Sequence, residues 1–199
     1  MTEAMHRIEE DQRVFLRDVS WEQYETILAI RGERSGVRIS YLDGDLEFMS
    51  PSIDHERIKK FLARLLEAWC EERGPDLNGY GSWTIEQREK KCGVEPDECY
   101  VVGVEIKSRP DIAIEVIWTH GGLAKLEIYR RLGVPEVWNW KGGKIEVFVL
   151  QDGAYEVRER STVLPDCELD VFCQYVEREN QTQAVREFRA QLRNECKPG

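Results

Sequence analysis

The chain of 199 residues contains no apolar run of the roughly 20 residues that a membrane-spanning helix requires. Its first residues, 1–16, carry mixed charges and lack the apolar core of an export signal. We therefore expect a cytoplasmic protein with no segment that inserts into a membrane.

Histidines and paired cysteines are also scarce. The sequence has three histidines, and none of its six cysteines forms a CxxC pair. Zinc sites usually combine such residues at fixed spacings, so this pattern argues against zinc, and scattered cysteines in a cytosolic protein are expected to be free thiols. The sequence also lacks GxxxxGK[S/T] and GxGxxG, so no nucleotide cofactor is indicated.

Positive charge is in deficit. Lysine and arginine number 28 against 38 acidic residues, which gives a net charge of -10. This balance disfavours binding to nucleic acid by general attraction, because contacts to phosphate need local lysine and arginine. Two local basic groups remain, around residues 57–64 and 125–131, and we interpret most of their charges as solvated helix faces.

What the sequence does contain is the patterning of a mixed fold. A hydrophobic content of 41% and a charged content of 33% are typical of a globular protein. Ser20 and Gln23 form a capping-box pattern that predicts a helix to about Gly32. Asp43-Gly44 predicts a tight hairpin, and an apolar stripe after Pro51 predicts a long helix that ends at residue 74.

The second half is richer in strands. Three strand-like runs lie between residues 78 and 118, followed by a helix that ends at Gly133 and a hairpin across residues 141–143. Residues 154–160 are predicted as an edge strand, and residues 170–194 as a helix that covers the domain or trails from it. This order predicts an α/β (α+β) fold, with a mixed central sheet flanked by helices.

We divide the chain into three segments on this pattern. Residues 1–19 are predicted as an N-terminal extension, residues 20–160 as the domain, and residues 161–199 as a helical extension packed on the domain or trailing it.

Three carboxylates mark the two middle strands. Asp97 and Asp111 each follow a proline at the start of a predicted strand, and Glu115 lies inside the second strand. If these strands are neighbours, Asp97 and Glu115 converge and offer two of the oxygen ligands that Mg²⁺ accepts. The alternative is that the face shared by Asp111, Ala113 and Glu115 is an ordinary solvated face.

Lys125 lies at the start of the helix that follows the Glu115 strand, so the chain returns it towards the same end of the sheet. A lysine near a bound metal ion can orient or deprotonate an attacking water and neutralise charge that develops on a phosphate. Tyr129, one turn later, shares its helix face.

Five ordered motifs carry a resemblance to a known family. They are YLDGDLEFMSPS (41–52), DHERI (54–58), EPDECYVV (95–102), PDIAIEVIW (110–118) and KLEIYRRLGVPEVWNW (125–140). In order and spacing they resemble the Uma-two family of endonucleases, which is grouped with the PD-(D/E)xK restriction-endonuclease-like superfamily. The resemblance covers about residues 20–150.

The resemblance implies a restriction-endonuclease-like core in which Asp97 and Glu115 bind Mg²⁺ or Mn²⁺. The motif lysine would stand two residues after the acid, where this chain has Ile117, and the resemblance places it instead at Lys125. Many relatives carry a further acid before the lysine helix. This chain has none between Glu115 and Glu127, so a second metal ion would be poorly held.

The resemblance also implies supporting residues. His55 and Glu56 match a polar position near the site, and Asp111 matches a supporting polar group at the entrance of its strand.

The function that we expect is a Mg²⁺-dependent endonuclease that hydrolyses phosphodiester bonds of DNA. A homodimer would suit the cutting of both strands. One alternative is a nuclease-like scaffold without catalysis that serves protein interaction or oligomerisation. The net charge and the cluster of Trp118, Trp138 and Trp140 favour this alternative. Another is a metal-dependent hydrolase of a different phosphate compound, which would use the same residues.

Overall fold

A computed structural model describes residues 10–34, 36–117 and 122–195. These residues form five α-helices, one short 3-10 helix (Arg88–Lys90) and eleven strands in two sheets, which confirms the predicted mixed class. The helices are α1 (Trp21–Arg31), α2 (Ile53–Arg73), α3 (Lys125–Leu132), α4 (Leu169–Val176) and α5 (Gln181–Glu195). The strands are β1 (Gln12–Leu16), β2 (Arg38–Leu42), β3 (Asp45–Ser50), β4 (Leu77–Gly79), β5 (Ile85–Gln87), β6 (Cys92–Val94), β7 (Glu98–Val102), β8 (Ile112–Val116), β9 (Glu136–Lys141), β10 (Lys144–Gln151) and β11 (Ala154–Arg158).

The larger sheet is mixed, as predicted. Its strand order is β11-β10-β9-β8-β7-β4, and only the β8–β9 pair is parallel within it. A parallel pair needs a crossover connection, and α3 lies in the segment that joins β8 to β9. The smaller sheet is antiparallel, in the order β1-β3-β2-β6-β5.

The helix-capping and turn residues in the sequence have the structural roles predicted for them. Ser20 and Gln23 form the capping box of α1, with each backbone N–H bonded to the other side chain. Asp43 and Gly44 both adopt positive φ, at 51° and 103°, in the turn between β2 and β3. Helix α2 ends at Gly74 in the left-handed conformation.

Both faces of β8 are buried, which explains its aliphatic character. Ile112, Ile114 and Val116 pack against α2 on one face, together with α4 and α5. Ala113 belongs to the core on the other face, which includes Ile128 and Tyr129 of α3. The C-terminal segment that the structure describes therefore covers the domain, because α5 contributes Val185 and Phe188 to the α2 core.

The tryptophans do not support the interaction-module alternative in the way that the sequence suggested. Trp138 and Trp140 are 1% and 3% exposed, and both belong to the same core as α2. Trp118 lies outside the described residues. The two described rings are therefore core residues and do not form an exposed contact surface.

The main departure from the predicted elements is in number. Residues 77–102 contain four strands where the pattern showed two, because β4, β5 and β6 have three residues each and are too short to show a period of two. Strand β1 was not predicted at all. It lies in the segment assigned as an N-terminal extension and pairs with β3. The predicted domain boundaries themselves stay a prediction.

Within the described segments, no helix is long and apolar enough to cross a membrane. The cysteines there are free thiols, and Cys70, Cys92, Cys99 and Cys167 are buried. Cys196 lies outside the described residues.

Candidate active site

Asp97 and Glu115 face each other across two neighbouring strands. Strands β7 and β8 pair antiparallel with Glu98 opposite Ile114, so the next step of the register places Asp97 opposite Glu115. The two residues are 1% and 2% exposed. The solvated-face interpretation of Glu115 is therefore wrong, because the strand is covered on both sides.

Helix α3 supplies two partners for Glu115. Lys125, its first residue, places Nζ 2.6 Å from Glu115 Oε2, and the Tyr129 hydroxyl donates a hydrogen bond to Oε1 one turn later. The Lys125 side chain is 13% exposed. The helical spacing of these residues thus brings both donors to one carboxylate, which the shared helix face alone did not specify.

The two oxygens of Asp97 have different contacts. Oδ2 accepts a hydrogen bond of 2.9 Å from the Val116 backbone N–H and lies 3.0 Å from His55 Nε2. Oδ1 is buried and accepts no hydrogen bond from any described residue. Oδ1 also forms a long ion pair with Arg38, whose Nε lies 3.8 Å away.

The pKa values of the two carboxyls are driven apart. Burial raises the pKa of Glu115, the Asp97 charge adds to this rise, and Lys125 opposes it. Burial would also raise the pKa of Asp97, but the contact with His55 and the charge of Lys125 outweigh it and hold that pKa well below its usual range. Paired carboxyls whose pKa values diverge in this way are characteristic of catalytic sites.

The cation beside them keeps its charge. Burial alone would lower the pKa of Lys125, but the charges of Glu115 and Asp97 outweigh this effect and raise it. Burial and the charge of Glu115 raise the pKa of Tyr129, so its hydroxyl remains a donor. Lys125 therefore carries a positive charge next to the carboxylate that it contacts, Glu115.

His55 links Asp97 to the N-terminal part of the chain. Its Nδ1 lies 3.0 Å from Asp11 Oδ2, and Asp11 Oδ1 accepts a 2.9 Å hydrogen bond from the Ser52 backbone N–H. Burial would lower the pKa of His55, but its hydrogen bond with Asp11 and its close contact with Asp97 outweigh burial and raise the pKa to about 9.

A pocket of about 350 Å³ opens beside this cluster. Glu115, Lys125 and Tyr129 line it together with residues from other elements, among them Arg13, Met49, Gly122 and Asn139. Reactive side chains at the wall of a concave site are the usual arrangement of an enzyme.

Two of the elements around the pocket are joined by Glu47 of β3. This residue is 1% exposed, and its Oε1 lies 2.8 Å from Arg13 Nη1. Its Oε2 accepts a 2.5 Å hydrogen bond from the Leu123 backbone N–H, just before α3. An added Cβ at Gly122 would overlap Arg13 Nη1, so a larger residue there would force the Arg13 side chain to shift.

The remaining predicted residues lie at different distances from this cluster. Glu56 is half-exposed on α2, where it pairs with Arg38 at 3.3 Å and Lys59 at 2.5 Å. Asp111 lies at the opposite end of β8 from Glu115 and bonds to Lys107 and to the Val102 backbone N–H. Four residues of strand span about 13 Å, so Asp111 is not brought together with the others.

Sequence reasoning missed Asp11, Glu47, Arg13 and Arg38. One signal could have found Glu47, since it stands between Leu46 and Phe48 in a run that is otherwise strongly apolar. Asp11 gave no such signal, because its contacts to Ser52 and His55 join distant parts of the chain.

No group of three or more His, Cys, Asp or Glu side chains is arranged to hold a metal ion within residues 10–34, 36–117 and 122–195.

Among the comparisons with known proteins, the family model agrees with the motifs. No protein with a curated description matches the chain. One matching solved structure is that of a putative nuclease belonging to DUF820 from Anabaena variabilis ATCC 29413. It is 14% identical, covers 76% of this chain and 90% of that chain, and has a TM-score of 0.47. The family model of Uma2, described as putative restriction endonuclease, matches residues 21–172. Because this match spans most of the chain, the protein belongs to the Uma2 family, as its motifs predicted.

Proposed function

We propose that the protein is a metal-dependent endonuclease that hydrolyses phosphodiester bonds of DNA. Asp97 and Glu115 would bind Mg²⁺ or Mn²⁺, and Lys125 would act on the attacking water. The observation that carries this proposal is the contact of Lys125 with Glu115 at the pocket, with Asp97 opposite Glu115 in the register of β7 and β8. Membership of the Uma2 family supports a nuclease at the level of the reaction class.

The side chains fit such an ion. Asp97 Oδ1 is a buried anionic oxygen to which no described residue donates a hydrogen bond. Each Glu115 oxygen accepts one bond, from Lys125 or Tyr129, and a carboxylate oxygen has a second lone pair. Two carboxylates suffice for Mg²⁺, which keeps several waters and takes the remaining ligands from substrate phosphates. When bound, the ion would polarise the scissile phosphate and lower the pKa of a water ligand.

The residues of the chain supply orientation and charge. Lys125 can donate hydrogen bonds from its ammonium to the attacking water or to a phosphate oxygen, where negative charge grows. Tyr129 holds Glu115 by its other oxygen. Arg13 adds a second cation to the pocket wall, and Glu47 holds its guanidinium. These local positive groups explain how a chain with a net charge of -10 could accept a polyanion.

Plasmid nicking tests this function. We expect the protein to convert supercoiled plasmid to open circle with Mg²⁺ or Mn²⁺ and to lose this activity in EDTA. Asp97→Asn and Glu115→Gln should each reduce the rate by at least about 100-fold, because each removes an anionic ligand of the metal ion. The matched control is Glu146→Gln on β10, which changes an exposed carboxylate in the same way.

Two results would reject the proposal. Equal nicking by the wild type and both site variants would show that these carboxylates are not the site. Absence of nicking together with absence of Mn²⁺ binding at millimolar concentration would instead support the scaffold without catalysis.

A further inference from the structure

We propose that Asp11 and His55 are positioning residues that hold the Asp97 carboxylate by Oδ2 and direct its Oδ1 to the metal ion. This inference rests on the proposed function and adds to it a residue from outside the family match, since that match begins at residue 21.

The two oxygens of Asp97 have different surroundings. Oδ2 lies between the Val116 N–H and His55 Nε2, at 2.9 and 3.0 Å. Oδ1 is buried but accepts no hydrogen bond from the described part of the chain. The Arg38 guanidinium lies 3.8 Å from Oδ1, which is too far for a hydrogen bond. A buried anionic oxygen without a donor costs free energy unless a cation binds it more closely. The asymmetry therefore indicates which oxygen is the ligand.

The His55 ring is fixed from its far side. Asp11 Oδ2 lies 3.0 Å from Nδ1, and the side chains of Asp11, His55 and Asp97 are all 0% exposed. Asp11 is itself anchored, because its Oδ1 accepts from the Ser52 backbone N–H. Ser52 caps α2 and accepts a 3.2 Å bond from the His55 backbone N–H. The start of α2 thus fixes both the backbone and the ring of His55.

A stabilising role alone does not account well for this arrangement. Burying several ionisable groups carries a desolvation cost that ion pairing often fails to exceed, so apolar residues would stabilise the fold at least as well. Hydrogen-bonded partners behind a metal ligand, by contrast, orient it, and their loss typically weakens metal binding by about 10-fold to 100-fold.

The test compares Mn²⁺ binding in three variants of the full chain by calorimetric titration. Asp11→Ala removes the support of His55, and we expect its Kd for Mn²⁺ to rise by about 10-fold to 100-fold. Asp11→Asn should restore most of the affinity. Its amide oxygen can accept from Ser52, and its NH₂ can donate to His55 Nδ1, which leaves Nε2–H to face Asp97. Asp18→Asn, at an exposed site with φ of 56° that asparagine tolerates, is the matched control and should bind as the wild type does.

A purely structural role predicts a different titration. If Asp11→Ala only destabilised the fold, the binding stoichiometry would fall with the folded fraction while the Kd stayed at the wild-type value. The positioning role predicts a raised Kd at full stoichiometry, and a nicking rate at saturating Mn²⁺ within a few-fold of the wild type.

The outcomes separate this inference from the proposed function. A wild-type Kd in Asp11→Ala, with nicking intact in the wild type, would overturn the positioning role and leave the endonuclease in place. An equal rise in Kd for Asp11→Ala and Asp11→Asn would also overturn it, because the asparagine keeps the ring oriented. Wild-type protein that binds no Mn²⁺ would overturn both proposals.

Discussion

Replacement of Lys125 by methionine is expected to slow metal-dependent DNA cleavage by at least about 100-fold, the usual cost of removing a group that stabilises charge in the transition state. Methionine preserves a long unbranched side chain but has no ammonium to orient water or to meet charge on the phosphate. In the structure Lys125 Nζ lies 2.6 Å from Glu115 Oε2, so the lost charge is at the proposed metal-binding pair. The measurement is the initial rate of plasmid nicking at saturating Mn²⁺.

The same variant should still bind Mn²⁺, with a Kd within about 10-fold of the wild type, because two effects on the ion oppose each other. Loss of the ammonium removes a like charge that repels the metal ion. It also removes the group that opposes the rise in the pKa of Glu115, so that carboxyl gives up its proton less readily. Cleavage and binding are therefore expected to separate in this variant.

Lys144→Met is the control, since it makes the same change at an exposed residue of β10. Wild-type cleavage by Lys125→Met would show that the lysine takes no part in the reaction. Parallel loss of cleavage and Mn²⁺ binding would show that it serves only to hold Glu115.

The second large effect concerns stability. Glu136→Ala is expected to lower the free energy of unfolding by about 3–5 kcal/mol, because it leaves several buried donors without an acceptor. Glu136 is 0% exposed at the start of β9. Its Oε2 accepts from Ser161 Oγ at 2.7 Å and Trp138 Nε1 at 2.9 Å. Its Oε1 accepts from the backbone N–H groups of Thr162 and Val163 and from the Thr162 hydroxyl. The Glu136 carboxylate thus holds residues 161–163, which precede α4, against β9 by hydrogen bonds.

Urea unfolding measures this loss as a lower midpoint at an unchanged slope. Glu136→Gln should fall between the wild type and Glu136→Ala, because its amide oxygen can accept while its NH₂ cannot. Glu146→Ala, an exposed glutamate on the adjacent strand, is the control and should change the free energy of unfolding by about 0.5 kcal/mol or less. A Glu136→Ala protein as stable as this control would contradict the fastening role.

The parts of the site that the sequence predicted depend on short-range patterns. Pro96 and Asp97 directly precede strand β7, and Glu115 lies four residues after the second Pro-Asp pair, inside β8. Because these two strands are neighbours, the two acids come to lie opposite each other. The helix after β8 then delivered Lys125 and Tyr129 by its own period.

The missed parts depend on contacts between distant segments. Asp11 reaches His55 across 44 positions of the chain, and Glu47 reaches Leu123 across 76. Neither contact corresponds to a spacing pattern that can be recognised in the sequence. The burial of Glu115 was also hidden, because alternation along a strand separates two faces but does not show whether the polar face is covered. Here α3 covers it, through Tyr129.

A crystal structure of the wild-type protein soaked in Mn²⁺, with anomalous scattering to locate the ion, tests the proposed site most directly. The account predicts one Mn²⁺ bound to oxygen atoms of both Asp97 and Glu115, at about 2.0–2.3 Å. On Asp97 the bonded atom should be Oδ1, with Oδ2 still held by Val116 and His55. An ion at another place, or no ion at these carboxylates in millimolar Mn²⁺, would contradict it.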